Sequence, residues 1–409
     1  QLDIVIWGCT GFTGGLVAEY FATAVQDNLK WALAGRTLSK LEAVREKITT
    51  ICPSCSDIPL IQANITDEDS LNAMAKQTKV ILSTAGPFMV CGTPIVKACV
   101  ENGTNYCDIT GEVPWIRQLI DRFHDEAAEK KIHIVPACGF DSIPFDIGAF
   151  MVAQEAKKEG GAKWIKGFAQ MKGKPSGGTL HTMLNLMETV PMSEMNNPHI
   201  IDPFDHRQDK IQPKAKDQTL PKFDKTLKTW TVPFVMSGVN TRIVRRSSLL
   251  LKDAGTPYGP EEFCYAETEI KKSFFGSLVH TIGLGIFLMF AYFSFGRYLL
   301  KKVLPSPGTG PSLKEREKSW FKVRFVGETT QGNHLLGTIA GGDPGYTETA
   351  KMVSNAAICL VDSETLQLPG GVLTAASSMG DKLVGRLQDA GMTLKVESFT
   401  PQIKQMCCF

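Results

Sequence analysis

Short apolar runs and amphipathic segments alternate along residues 1–145. The runs at 4–7 and 80–85 predict buried strands, and the segments at 16–24 and 39–49 have helical spacing. Further strands are predicted at 30–36, 59–63, 105–109 and 133–136, and further helices at 67–77, 94–102 and 113–130. Because strand and helix alternate, the pattern predicts an α/β domain built on a parallel sheet.

The pattern changes after residue 145. Strands are predicted at 166–172, 232–235, 320–328 and 335–339, with polar linkers between 202 and 227 and a Pro/Gly linker at 305–311. A helix is predicted after residue 345, another at 382–391 and a strand at 393–399. We therefore expect a second domain, for substrate binding, over 146–345, and a C-terminal return to the first domain over 346–409.

One segment of the second domain is apolar throughout. Residues 273–296 carry no charge except a possible proton on His280, and about 20 apolar residues suffice to cross a bilayer core. The basic residues that flank the segment are Lys271, Lys272, Arg297, Lys301 and Lys302. Because residues 320–339 must rejoin the fold, we expect residues 273–303 to contact a membrane as a peripheral or monotopic element. The alternative is a buried core or dimer-interface helix.

The first predicted strand runs directly into a glycine-rich turn and a helix, which is the context of a dinucleotide-binding turn. Gly8 would permit the tight turn, Gly11 the approach of a pyrophosphate, and Gly14 the close packing of helix on strand. The helix N-terminus would then offer its N–H groups to the phosphates. The residues expected to bind the cofactor here are Gly8, Thr10, Gly11, Phe12, Thr13 and Gly14. A purely structural glycine turn is the alternative.

The end of the second predicted strand indicates which dinucleotide binds. An NAD-selective site would carry Asp or Glu at this point, whereas this chain has Arg36, with Lys40 close behind. A guanidinium can hold a phosphate on the ribose through paired hydrogen bonds. These residues predict NADP(H), unless Arg36 is only a solvated loop charge.

The composition is that of a globular protein: 43% of the 409 residues are hydrophobic and 21% are charged. The net charge of +2 gives no basic field for nucleic acid. Eleven cysteines are scattered rather than spaced as a disulfide framework, so we expect reduced, packed thiols. No metal site is expected.

The loops at 86–92, 110–112 and 139–144 follow predicted parallel strands, so they should line one crevice. The residues expected to position the nicotinamide are Ala85, Gly86, Pro87 and Phe88. Hydride transfer also needs a proton donor beside the substrate, and the candidates are Asp108, Glu112, Asp141, Ser142 and His181. Each has a plainer interpretation, since Asp141 and Ser142 can cap a helix, Glu112 can complete a turn, and His181 can be an ordinary polar residue.

Several motifs together carry a family resemblance. They are Trp-Gly-Cys-Thr-Gly-Phe-Thr-Gly (7–14), Ala-Gly-Arg (34–36), Ser-Thr-Ala-Gly-Pro-Phe (83–88), Cys-Asp-Ile-Thr-Gly-Glu (107–112), Gly-Phe-Asp-Ser-Ile-Pro-Phe-Asp (139–146), Gly-Tyr-Thr-Glu-Thr-Ala (345–350) and Pro-Gly-Gly-Val-Leu-Thr (369–374). In this order they resemble the saccharopine dehydrogenase-like oxidoreductases. The pattern is most similar to the eukaryotic branch associated with membranes and lipid droplets, and the mycobacterial trans-acting enoyl reductases look related.

The resemblance implies an NADP-type Rossmann domain and a second α+β domain on a mainly antiparallel sheet. It also implies a homodimer and a contact with a membrane, for which we expect the cytosolic face of the endoplasmic reticulum or a lipid droplet. Asn64 stands where an Asp often lies near the adenine, so that contact differs. We expect an oxidoreductase that reduces an apolar or lipid-like carbonyl or alkene. The alternative is a membrane-docked NADP(H)-binding protein without turnover, serving as a redox sensor or scaffold.

Overall fold

A computed structural model describes residues 1–25, 29–173, 177–206, 215–260, 263–304 and 309–401. Within these ranges the strands are β1 (Leu2–Trp7), β2 (Trp31–Gly35), β3 (Leu60–Gln62), β4 (Thr78–Ser83), β5 (Asn105–Asp108), β6 (His133–Val135), β7 (Ala162–Lys172), β8 (Lys222–Asp224), β9 (Thr229–Val232), β10 (Cys264–Lys271), β11 (Trp320–Thr329), β12 (His334–Gly341), β13 (Gly371–Val372) and β14 (Thr393–Phe399). They form two sheets of seven strands each. Of the predicted linker at 305–311, residues 305–308 lie outside the described ranges.

Helices cover both sheets and join them. In the described ranges they are α1 (Phe12–Ala24), α2 (Leu38–Ile51), α3 (Glu68–Lys76), α4 (Phe88–Asn102), α5 (Val113–Glu129), α6 (Ile143–Ala156), α7 (Gly177–Thr189), α8 (Met192–Met195), α9 (Ser237–Asp253), α10 (Phe274–Tyr292), α11 (Ser294–Val303), α12 (Leu313–Glu317), α13 (Thr347–Val361), α14 (Ala375–Ser378) and α15 (Gly380–Asp389).

The first sheet has the order β13-β6-β5-β4-β1-β2-β3, and all its strands are parallel. The predicted α/β domain is therefore confirmed. The apolar strand residues are buried on both faces, as helices on both sides of a parallel sheet require. The carboxyl ends of β1, β4, β5 and β6 lie at the same end of the sheet. The predicted glycine-rich turn follows β1 there, and the three predicted loops follow β4, β5 and β6.

The second sheet has the order β14-β12-β11-β7-β10-β9-β8. It is mixed, because β10 runs parallel to β7 while the other paired strands are antiparallel. This confirms the expected second domain on a mainly antiparallel sheet. The strand β10 was not predicted, and the strand predicted at 232–235 instead lies at Thr229–Val232.

Helix α4 begins six residues before its predicted start at Pro94. Proline favours a helix start, but here the N-terminal amides find an acceptor earlier, since the Glu112 carboxylate accepts hydrogen bonds from the N–H groups of Phe88 and Met89. The predicted end is confirmed, because Gly103 adopts the left-handed conformation that closes the helix.

The C-terminal part of the chain is shared between the two sheets. Helix α13 packs on β4, β5 and α1, and β13 pairs with β6, so both elements lie against the first sheet. The last strand, β14, does not return with it, since it pairs with β12 in the second sheet, from His334↔Phe399 to Ala340↔Thr393. An unpaired edge on β12 explains this outcome, because a strand edge needs partners for its N–H and C=O groups.

Helix α10 is apolar and mostly exposed. It is the one helix in the described ranges that is long and apolar enough to cross a membrane, and only 11% of its apolar window is buried. Its most exposed side chains form a stripe that includes Val279 at 56%, Ile282 at 53% and Ile286 at 51%. The core-helix alternative predicts the opposite, a helix buried among its neighbours.

Candidate cofactor crevice and active site

The glycine-rich turn has the geometry that its spacing predicts. Gly8 has a φ of +85°, which favours glycine, and its N–H donates to the Ala34 carbonyl at 3.2 Å. A Cβ at Gly14 would overlap the Gly8 carbonyl oxygen, so Gly14 lets α1 pack closely on β1. At Gly11 the nearest atom to a Cβ is that same oxygen, at 3.4 Å, and the space beyond it is open.

The N-terminus of α1 is suited to a pyrophosphate. Gly11 occupies the N-cap position without a side-chain cap, and the first turn holds no acidic residue. The first N–H groups of a helix have no intrahelical acceptor, and the helix dipole favours an anion there. Thr10 is exposed beside the open space, and Thr13 is half-buried. The ring of Phe12 turns away to pack edge-on against Tyr346, with centroids 4.8 Å apart.

Arg36 directly follows β2 and is exposed, as is Lys40 in the first turn of α2. Among the described residues, neither side chain has an ion-pair partner. Two unpaired cations near a dinucleotide turn fit an additional phosphate on the ribose. Asn64 follows β3 and organises the next turn, where its Oδ1 accepts from the Thr66 N–H at 3.3 Å. Asn64 thus lies just after β3, at the end of the crevice where the adenine is predicted to bind.

The loop after β4 exposes backbone at the crevice but buries the side chain of Phe88. Ala85 is half-buried and Gly86 and Pro87 are exposed at the edge of the crevice. The Phe88 ring is instead buried, stacked on Trp115 with centroids 5.6 Å apart. Phe88 therefore serves the site through its backbone and not through its ring.

Glu112 holds this loop in place. Its Oε1 accepts from the Phe88 N–H and its Oε2 from the Met89 N–H, both at 2.8 Å. Burial raises the pKa of Glu112, and the two amide donors oppose that rise. A carboxylate at the N-terminus of α4 is also favoured by the helix dipole. With both oxygens engaged, Glu112 is suited to positioning the loop at 85–88.

The ends of β5 and β6 are joined by a second buried carboxyl group. Asp108 Oδ1 accepts from the N–H groups of Thr110 and Ala137, at 2.9 and 3.0 Å. Burial raises the pKa of Asp108 to about 7, against the effect of these donors. Because Asp108 is completely buried, it fixes the loops at 110–112 and 139–144 relative to each other and does not open into the crevice.

Asp141 differs from the other carboxyl groups of the site. It lies in the loop after β6, half-exposed, and its Oδ2 lies 3.5 Å from where a Cβ on Gly111 would stand. Within the described residues, its carboxyl group has no hydrogen-bond partner. Burial raises the pKa of Asp141 to about 6. A carboxyl group whose pKa is raised toward neutral pH, and which has no internal partner, can act as a general acid.

Ser142 is oriented by a buried network behind the crevice. It occupies the N-cap position of α6, but its Oγ donates to Asn240 Oδ1 at 3.3 Å and caps no amide. Asn240 Nδ2 donates to Glu267 at 3.1 Å, and Tyr265 donates to the other oxygen at 2.8 Å. Burial raises the pKa of Glu267 to about 8. The network therefore supports Ser142, and through it the adjacent Asp141, from α9 and β10.

No local pattern indicates this network, because Asn240 and Glu267 lie about 100 and 125 residues after Ser142 and carry no motif. A second missed residue is Thr349 on α13, whose Oγ1 accepts from the Phe140 N–H at 3.1 Å. The motif at 345–350 was its only signal.

His181 does not join the group around Asp141 in any hydrogen bond that the structure shows. It lies in the second turn of α7, half-buried, and its Nε2 is buried without a hydrogen-bond partner in the described part of the chain.

Comparison with known proteins agrees with this geometry. Residues 4–135 match the saccharopine dehydrogenase NADP binding domain family. The trans-acting enoyl reductase of Mycobacterium ulcerans (strain Agy99) is 35% identical over 423 residues, which cover 96% of this chain and 97% of that protein. The trans-acting enoyl reductase of Mycobacterium tuberculosis (strain ATCC 25618 / H37Rv) is 34% identical over 420 residues, with coverage of 96% and 97%.

The chain belongs to the saccharopine dehydrogenase-like oxidoreductases. The apo saccharopine dehydrogenase (L-Glu forming) of Saccharomyces cerevisiae has the same fold, with a TM-score of 0.56 over 98% of this chain and 100% of that one, at 14% identity. This saccharopine dehydrogenase-like protein is accordingly an NADP(H)-dependent oxidoreductase. The turn at 8–14, with open space at Gly11 and the cationic Arg36, fits NADP(H).

The chain contains a second pattern that is typical of dehydrogenases, and this pattern lies away from the crevice. Tyr298 and Lys302 have the Tyr-x-x-x-Lys spacing, but both are on α11, where the Lys302 ammonium lies 4.4 Å from the centre of the Tyr298 ring. Tyr298 is 55% exposed. The pair is a surface cation–π contact beside the apolar helix.

Proposed function

We propose that this protein uses NADPH to reduce a carbon–carbon double bond conjugated to a carbonyl group in an apolar, lipid-like molecule. The observation that carries the proposal is the Asp141 carboxyl group, which lies partly buried in the loop after β6, has no hydrogen-bond partner among the described residues, and has a pKa raised by burial to about 6. The mycobacterial relatives are named as trans-acting enoyl reductases, which supports the choice of an alkene.

Reduction of such an alkene adds one hydride and one proton across the double bond. NADPH, when bound, supplies the hydride to the carbon distant from the carbonyl group. Asp141 gives its proton from the carboxyl group to the neighbouring carbon and recovers it from solvent, to which it is partly open. Ser142, held by Asn240, keeps the turn of Asp141 in place, and Glu112 keeps the loop at 85–88 in place.

In this proposal, helices α10 and α11 hold the protein at a membrane surface. The exposed apolar stripe of α10 would insert among lipids, at the cytosolic face of the endoplasmic reticulum or of a lipid droplet. Burial of each such side chain is worth about 1.5–3 kcal/mol. The chain leaves the second sheet at Lys271 and returns at Trp320, and both lie at the same edge of the sheet, which favours monotopic insertion over a span.

The flanking cations give this docking weaker support than the sequence suggested. Lys271 pairs with Glu269 at 2.6 Å, Lys301 pairs with Glu188 at 3.0 Å, and Arg297 caps the carbonyl groups at the end of α10. A second copy of the chain, as in the expected homodimer, is the other surface that could cover α10.

The test of the activity is NADPH oxidation with a panel of α,β-unsaturated acyl thioesters and alkenals of increasing chain length. We expect turnover that rises with chain length and is lost in Asp141→Asn. NADPH binding with no turnover on any of the panel would favour a sensor or scaffold instead.

The test of the docking is flotation on phosphatidylcholine vesicles with the triple variant Val279→Glu, Ile282→Glu, Ile286→Glu. Because all three positions are more than half exposed, the variant should fold and bind NADPH but no longer float. Deletion of 274–296 with a Gly/Ser linker is the companion variant. If the parent never floats and the triple variant splits a dimer, α10 is an interface between copies.

A further inference from the structure

The chain leaves the second sheet three times at the same end of its strands. Because β7 and β10 are parallel, their ends at Lys172 and Lys271 lie side by side. The start of β11 at Trp320 pairs with Lys172, and the end of β12 at Gly341 pairs with Phe321. This edge therefore carries the exits of the chain toward α7, α10 and α13.

The crevice lies beside this same edge. After β12 the chain reaches Pro344, whose carbonyl accepts from Thr349, which in turn accepts from the Phe140 N–H next to Asp141. Gly173, just after β7, would place a Cβ 3.5 Å from Pro344. Three strand spacings separate β12 from β10, so the root of α10 lies about 14 Å along the sheet from the end of β12.

Helix α7 connects these two places. Its chain leaves the edge beside Pro344, and its last turn is tied to α11 by the Glu188–Lys301 ion pair. Thirteen helical residues span about 20 Å, and α7 packs against both α10 and α11. Its C-terminal end thus lies at the exposed apolar helices, and its N-terminal end follows Gly173 by four residues.

The side chains of α7 suit an apolar path. Apart from His181, the helix carries no ionisable group before Glu188. Helical spacing places Leu180, Met183, Leu184 and Met187 on one face. Leu184 is fully buried, and the other three are half-buried. Two methionines give this face an adaptable surface of the kind that accepts flexible apolar ligands.

The polar end of such a ligand has a partner as well. The buried Nε2 of His181 lies in the second turn of α7, toward the crevice end, and lacks a hydrogen-bond partner within the described ranges. A neutral imidazole N–H can donate to a carbonyl oxygen. An acyl chain lying along Met183 and Met187 would bring its carbonyl group to this end of the helix.

We propose that the apolar face of α7 is a passage that leads the acyl chain of a membrane lipid from the α10–α11 surface to the cofactor crevice, with His181 receiving its carbonyl group. This inference rests on the proposed function, both the docking and the apolar substrate. It makes α7 the element that selects long, membrane-resident chains, while the cofactor crevice selects the reacting group.

The test uses phosphatidylcholine vesicles containing a phosphatidylcholine with a diazirine at the end of one acyl chain. After illumination, labelled peptides are mapped by mass spectrometry in the parent, in Met183→Trp, and in two controls. Asn185→Trp adds the same bulk to the opposite face, and Met183→Leu conserves volume. Thermal melting and NADPH affinity check that each variant is folded.

We expect label on both α10 and α7 in the parent, with the α7 label reduced about tenfold in Met183→Trp and unchanged in both controls. In turnover, Met183→Trp should lower kcat/KM about tenfold for a long-chain enoyl thioester and leave a crotonyl thioester unaffected. His181→Ala should raise KM for the long substrate without changing NADPH affinity.

The failures are distinct. Label on α10 alone, or an α7 label that Met183→Trp does not lower, overturns the passage while leaving the docking intact. No label on either helix refutes the docking, and with it the passage. Labelling of α7 in a protein that reduces nothing would refute the proposed reductase and leave α7 as a lipid-binding surface.

Discussion

Replacing Asp141 by Asn should make the protein more stable and less active at the same time. Burial raises the pKa of Asp141 from 3.8 to about 6, and within the described residues no hydrogen bond to its carboxyl group offsets this. The folded state therefore binds this proton more tightly than the unfolded chain does. Above the folded-state pKa the ionised carboxylate costs stability, and below the unfolded pKa of 3.8 the cost is absent.

The size of the effect follows from the difference between the two pKa values. One pKa unit corresponds to 1.36 kcal/mol, so the rise to about 6 corresponds to about 3 kcal/mol at high pH. This is a ceiling, because Asp141 is partly open to solvent, which screens its charge. Asn removes the charge with little change in volume. The variant should gain up to about 3 kcal/mol near pH 8 and almost nothing near pH 4.

The assay is denaturant unfolding of the parent and Asp141→Asn across this pH range, beside turnover with an enoyl substrate. Loss of a general acid should lower kcat about 10²–10⁴-fold. In the parent, kcat should fall as pH rises through about 6, as the proton on Asp141 is lost. Equal stability of the two proteins at pH 8, or a variant with full turnover, would refute the assignment of Asp141 as a protonated donor.

Four further substitutions test the cofactor site. Arg36→Asp should weaken NADPH binding and narrow or invert the preference over NADH, and equal affinity of the parent for both cofactors in calorimetry would contradict the role of Arg36. Gly11→Val should abolish NADPH binding and keep the melting temperature, whereas Gly14→Val should lower the melting temperature because its Cβ would overlap the Gly8 carbonyl oxygen. Glu112→Gln leaves one N–H group of α4 without its carboxylate acceptor. The free energy of unfolding should therefore fall by about 1–3 kcal/mol, and NADPH affinity should fall as well. Unchanged values for both would show that Glu112 does not position the loop.

The cofactor turn could be predicted from the sequence because each part of it is local. Gly8, Gly11 and Gly14 lie within one strand–turn–helix unit, and Arg36 follows the neighbouring strand. The same local signals predicted the strands and helices around them. Periodicity and glycine spacing act over a few residues, so a single chain displays them directly.

The parts that could not be predicted depend on distant residues. The start of α4 at Phe88 depends on the Glu112 carboxylate, 24 residues away, and so a proline in the second turn misled the prediction. The support of Ser142 by Asn240 spans 98 residues. Which of the candidate groups has a raised pKa also depends on burial. No sequence pattern reports the burial of Asp141.

The pairing of β14 with β12 has the same cause. The strand was predicted at its observed residues, but the partner of a strand is decided by which sheet edge is free. Helix α10 is the reverse case, since its composition could be read from the sequence, but only the structure shows that its apolar surface is exposed.

The most direct test of the central claim is isotope transfer with NADPH deuterated on its reactive nicotinamide carbon. The vesicle-bound protein is mixed with a long-chain enoyl thioester, and the product is analysed by mass spectrometry and NMR. The account predicts one deuterium on the carbon distant from the carbonyl group and one solvent proton on its neighbour, with transfer lost in Asp141→Asn. Tight NADPH binding without deuterium in any product would contradict it.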